Sequence, residues 1–111
     1  MVTIEIARDE AGRIRKFYVS GHAGYAASGQ DIVCAGISAV TVGAVNAIEK
    51  LTGVVPNARM RDGWLSASLP DTADADRGLQ AQLLVEGMVV SLETIATAYG
   101  KYVQIKETIS S

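Results

Sequence analysis

Two long helical stripes, separated and flanked by paired-strand signals, leave this chain few folds to choose from. Asp31 reads as an N-cap, because Val33, Ile37, Val40, Ala44, Ile48 and Leu51 follow at the spacing of one helical face and Gly53 closes the pattern. This spacing predicts a helix over 32–52. A second stripe, Leu84, Met88, Leu92, Ile95 and Tyr99, flanked by Val85 and Val89, predicts a helix over 74–98 that ends before Gly100.

Strand patterns occupy the rest. Val2, Ile4 and Ile6 alternate with Thr3 and Glu5, Asp9-Glu10-Ala11-Gly12 supplies turn chemistry, and an extended pattern resumes over 13–20 with Phe17, Tyr18 and Val19. Between the helices, Asp62-Gly63 joins 58–61 to 64–69, a two-residue hairpin signal that puts Leu65, Ala67 and Leu69 on one face. A last strand is expected over 101–108. The order ββαββαβ lacks a regular strand-helix-strand repeat. It therefore implies an α+β fold, a mostly antiparallel mixed sheet of about five strands packed against two long helices. At 111 residues, the span 1–111 is expected to form a single domain.

Composition narrows the partners. Hydrophobic residues make up 49% and aromatics only 5%, so Ala, Val, Ile and Leu must fill the interior, and the surplus apolar surface suggests a two-fold homodimer. A formal net charge of −2 provides no basic field for nucleic acid, although Arg13, Arg15 and Lys16 form a local basic stretch. No apolar run reaches the roughly 18 residues of a membrane span, and the N-terminus has no secretory pattern, so a cytoplasmic protein without membrane contact is expected. The single cysteine excludes an internal disulfide.

That cysteine is the chemical clue. The only histidine, His22, and the only cysteine, Cys34, lie twelve positions apart. A thiol attacks a carbonyl as thiolate, and an imidazole that takes its proton is the usual partner. If Asp31 is the cap, Cys34 falls in the first helical turn, where free N–H groups and the helix dipole favour an anion and could also hold an oxyanion. From Gly21 to Gln30 the glycines at 21, 24 and 29, with Ser28, predict a mobile loop rooted at His22.

Other residues have two readings. Asp31 either caps the helix or also orients His22 as a third member of a triad. Ser38, one turn after Cys34, either contacts substrate or the sulfur, or bonds the backbone carbonyl above it. Cys34 by itself could be a small buried hydrophobe and His22 a turn residue. Ala35, Gly36, Ala39 and Gly43 suggest close approach of another element to the first helix. Two ligands are too few for structural zinc, a dithiol motif needs a second cysteine, and the glycines match no phosphate-binding fingerprint, so neither metal nor cofactor is expected.

The run Gly21-His22-Ala23-Gly24-Tyr25-Ala26, followed by Gly29-Gln30-Asp31-Ile32-Val33-Cys34-Ala35-Gly36-Ile37-Ser38, closely resembles the bacterial ribosomal-processing cysteine protease family. Gly36 stands where many members carry alanine. The resemblance implies a homodimeric endopeptidase that removes the N-terminal extension of the twenty-seventh protein of the large ribosomal subunit, a step in ribosome assembly. It implies Cys34 as nucleophile and His22 as general base and acid, with Gly21, Asp31 and Ser38 around them. It also implies a loop that orders on substrate, and an apolar groove with acidic groups for a cleavage sequence followed by a basic segment. The competing expectations are a non-catalytic ribosome-associated protein-binding module and a dimeric scaffold.

Overall fold

The computed structural model describes residues 1–27 and 29–109; Ser28 of the expected loop, and Ser110 and Ser111 of the tail, lie outside the described residues. The elements are β1 (Val2–Arg8), β2 (Ile14–Ser20), α1 (Ile32–Thr52), β3 (Asn57–Arg61), β4 (Trp64–Ser68), α2 (Ala75–Ala98) and β5 (Val103–Ile109). The ββαββαβ order is as expected. The strands form one sheet in the order β3-β4-β2-β1-β5. All pairs are antiparallel except β1 with β5, which are parallel, and so the sheet is mixed.

One face of this sheet is buried. Val2, Ile4 and Ile6 of β1 and Leu65 and Ala67 of β4 are buried at alternate positions, so both helices must cover that face. Ile14 and Phe17 of β2 are three residues apart and yet both are buried. An irregularity in the register opposite Ala7 and Arg8 makes this possible by skipping one residue on β2. At the same end, Arg8 bonds Glu86 of α2 through both nitrogens, at 2.6 and 2.9 Å, and reaches Glu107 of β5. Arg13 and Arg15 of the basic stretch pair with Asp9 and Asp71.

The buried stripe of α1 is Val33, Ile37, Thr41, Ala44, Ile48 and Thr52. This departs from the expected stripe at two points: Leu51 is 67% exposed, and Val40 lies only at the edge of the core. Two threonines hold the core face because their hydroxyls donate to carbonyls four residues earlier, Thr41 to Ile37 at 2.8 Å and Thr52 to Ile48 at 2.6 Å. A hydroxyl satisfied within its own helix can be buried at little cost. Of the small residues, Gly36 faces Ile95 of α2, while Gly43 faces open space.

Both helices are long and apolar enough to cross a membrane by length and composition, which corrects the expectation that no segment would qualify. That expectation counted unbroken apolar runs, whereas Ala, Gly, Val and Thr average to an apolar helix without forming one. Each helix buries one face in the core beside the sheet. β5 begins at Val103, two residues later than expected, because the Tyr102 N–H turns back to the Tyr99 carbonyl.

Candidate active site

The start of α1 organises the site. Asp31 is buried, 9% exposed, and its carboxylate collects four backbone N–H groups. Oδ1 accepts from Val33 and Cys34, each at 3.0 Å, and Oδ2 accepts from Tyr25 at 3.0 Å and Ala26 at 3.4 Å. One oxygen caps the helix and the other ties down the loop that precedes it. The Cys34 N–H, above all, holds the Asp31 carboxyl below its ordinary range, assisted by the loop amides and opposed by desolvation. None of these bonds goes to His22, so the cap is the role its contacts carry.

This arrangement bears on one chemical expectation, that amides at the helix start hold an oxyanion. The Val33 and Cys34 amides are engaged by Asp31 Oδ1, and the Ala35 amide by the Asp31 carbonyl at 3.0 Å. These three amides are engaged within the chain in this structure. The amide aimed at the sulfur comes instead from the loop: Ala23 N–H donates to Cys34 Sγ at 3.3 Å. No local sequence signal marks this contact, since it depends on how the loop folds back. The thiol itself is half-buried, and the small-hydrophobe reading loses ground with an amide pointing at it.

The described residues of the segment expected as a mobile loop form neither helix nor strand, and they are fastened at several points. Besides the Asp31 bonds, Gln30 N–H donates to the Ala27 carbonyl. The Tyr25 ring meets Tyr99 and Tyr102 edge to face, with centroids 5.7 and 5.3 Å apart. His22 follows the end of β2 by two residues. Gly21, between them, has φ +91°, and a Cβ there would overlap the Met1 carbonyl, so this position requires glycine. Its N–H donates to the Gly63 carbonyl at 2.9 Å and ties the end of β2 to the β3–β4 turn.

His22, Cys34, Asp31, Ser38 and Gly21 all line one open cavity of about 620 Å³. Its apolar wall includes Val19, Ile37, Met60, Trp64 and Leu65, and its rim carries Asp62 beside Arg61. Met60, Trp64 and Gly63 were missed as site residues from sequence. The Asp62-Gly63 signal identified the turn but not its neighbour across the sheet.

The pattern of the family described as cysteine protease Prp matches residues 1–104. The chain belongs to the cysteine protease Prp family. It is 40% identical to the ribosomal processing cysteine protease Prp of Bacillus subtilis (strain 168), over 98% of this chain and 99% of that one. It is 36% identical to the Prp of Staphylococcus aureus (strain Mu50 / ATCC 700699), over 95% of this chain and 97% of that one. The crystal structure of the S. aureus Prp with a covalently linked product peptide superposes with a TM-score of 0.88 at 35% identity, covering 97% of this chain and 100% of that one. The S. aureus Prp with a substrate peptide gives 0.84 at 34% identity, with the same coverage. The cysteine-type endopeptidase expected from the Prp resemblance, and its fold, are borne out.

Proposed function

We propose that this chain removes the N-terminal extension of the twenty-seventh protein of the large ribosomal subunit, with Cys34 as nucleophile and His22 as general base and acid. The observation that carries this reading is that the only thiol and the only imidazole line the wall of one cavity, the thiol in the first turn of α1 and beneath the Ala23 N–H. Relatives of this length are ribosomal processing proteases, and one of them has been seen joined covalently to a product peptide.

The chemistry is acyl transfer. His22 accepts the thiol proton, Sγ attacks the scissile carbonyl carbon, and a C–S bond forms as the carbonyl π pair moves to oxygen. Collapse of that intermediate breaks the C–N bond, and the leaving amine takes the proton from His22. Water then gives a proton to His22 and adds to the thioester; collapse releases the acid, and Cys34 recovers its proton. The Ala23 N–H supports negative charge on sulfur. Val19, Met60, Trp64 and Leu65 suit an apolar cleavage sequence, and Asp62 suits a following basic segment, although Arg61 beside it offsets part of that charge. Ser38 lines the cavity one turn beyond the thiol, which supports the reading that it contacts the peptide.

The enzyme works as a cytoplasmic homodimer in this reading. A lone cysteine suits a reducing compartment, and Leu79, Leu83 and Val90 lie exposed along the outer face of α2, where a second copy could cover them. Intact mass analysis of the ribosomal precursor tests the activity. Wild-type protein shortens it by the extension, and Cys34→Ala binds it and leaves it whole. Cutting by Cys34→Ala removes the thiol from the mechanism, and binding without cutting by the wild type favours the non-catalytic module.

A further inference from the structure

We infer that Gly63, in the β3–β4 turn, is the positioning residue for the His22 ring; this rests on the reading of His22 as the general base. A Cβ built on Gly63 would stand 2.7 Å from His22 Nε2, 3.2 Å from Cε1 and 3.4 Å from Cδ2. Apart from its chain neighbours, the three heavy atoms nearest to that Cβ all belong to the His22 ring. The ring thus rests on the turn where any other residue would carry its first side-chain atom. The Gly21 N–H to Gly63 carbonyl bond, 2.9 Å, sets the height of the turn against the backbone that carries His22. His22 is otherwise exposed, with no side-chain hydrogen bond among the described residues, so this contact is the restraint the fold supplies.

A side chain at Gly63 would clash with something movable. The imidazole can swing about its own bonds by roughly 1 Å to restore ordinary contact, so the fold survives while the ring is displaced. Misplacing a reacting group by about 1 Å can cost on the order of 100-fold in rate. The expected signature is therefore a loss of turnover without a matching loss of stability.

Gly63 also has φ +72°, which strains most side chains, and two comparisons separate strain from contact. Gly63→Asn adds the Cβ with a residue that tolerates positive φ. Gly12→Ala adds a side chain at φ +86° in the β1–β2 turn, where a Cβ meets nothing within 4 Å, and serves as a measure of strain alone.

The test measures precursor cleavage, melting temperature and folded spectra for the full chain. Gly63→Asn is expected to lower kcat by about 100-fold with KM within about twofold, while melting no lower than Gly12→Ala, which keeps wild-type kcat. On a His22→Ala background, Gly63→Asn is expected to change the residual rate no further. Cleavage by Gly63→Asn within about threefold of wild type, beside an inactive His22→Ala, overturns the inference and leaves the dyad reading intact. A further loss on the His22→Ala background overturns it too, as does failure of Gly63→Asn to fold, since the Cβ would then act on something other than the ring. Full cleavage by His22→Ala itself overturns the dyad reading, and the inference with it.

Discussion

The two long helices begin alike and end up with different tasks. Asp31 caps α1 at φ −84°, ψ 102°, and Asp74 caps α2 at φ −87°, ψ 103°. Asp74 spends its carboxylate locally, accepting from the Arg77 N–H at 3.1 Å and pairing with the exposed Arg77 side chain. Asp31 uses one oxygen in the same way and gives the other to Tyr25 and Ala26. A helix start with a capping aspartate is common, and by itself it makes no site. In the proposed mechanism the difference lies in the second oxygen, which ties the loop back over the first turn, where Ala23 N–H meets the sulfur and His22 lines the same cavity.

Removing the Asp31 carboxylate is the most severe way to break this contrast. Asp31→Ala is expected to release both the helix cap and the loop, lowering cleavage by about 100-fold or more through misplacement of the dyad, with a clear fall in melting temperature. Asp31→Asn keeps only one acceptor oxygen, and its NH₂ group must face two N–H donors. Either the cap or the loop tie is lost, so the variant is expected to lose stability as well as turnover. Cleavage assays and thermal melts on the same preparations check both, and an Asn variant that matches wild type in each shows that the loop does not depend on the second oxygen.

The contrast should also depend on pH. The Asp31 carboxyl is held below its ordinary range, so its contribution to stability is complete above the ordinary carboxylate value and is lost as pH falls through the lower folded value. The difference in melting temperature between wild type and Asp31→Asn is therefore expected to hold from about pH 5 upward and to close on acidification below about pH 4. Glu86, depressed chiefly by its hydrogen bonds to Arg8, loses stability in the same direction, but it is present in both proteins and cancels in the difference. A gap that stays constant down to pH 2.5 breaks the assignment of that carboxylate as the clamp.

The sequence revealed the parts of this arrangement that are local and periodic. Both helices, both hairpins and the Asp31 cap follow from spacing over a few residues, and the bounds of α1 came out as read. What escaped depends on tertiary placement. Leu51 and Thr52 exchange roles because the core face of α1 advances by fours where a hydroxyl can bond its own helix, and hydropathy alone ranks leucine above threonine for that position. The Ala23 contact to sulfur spans eleven residues of irregular chain, and Gly63 meets a ring forty-one positions earlier across two strands. Asp62-Gly63 identified a turn, yet nothing in its neighbours shows that β4 lies beside β2 and carries the turn to the end of the strand that precedes His22.

The smallest expected effect sharpens the comparison from the other side. Asp74→Ala removes a cap of the same backbone geometry and should cost about 1 kcal/mol, a few degrees of melting temperature. The Arg77 pair adds little to this, because both partners are more than half exposed and water screens them. Cleavage is expected to stay within about twofold of wild type, since neither Asp74 nor the first turn of α2 lines the cavity with His22 and Cys34. If Asp74→Ala lowered cleavage as Asp31→Ala does, capping in general, by holding the helices in place, would be sufficient to explain the site. If only Asp31 matters, the active arrangement belongs to the loop that its second oxygen holds, and α1 serves as the anchor.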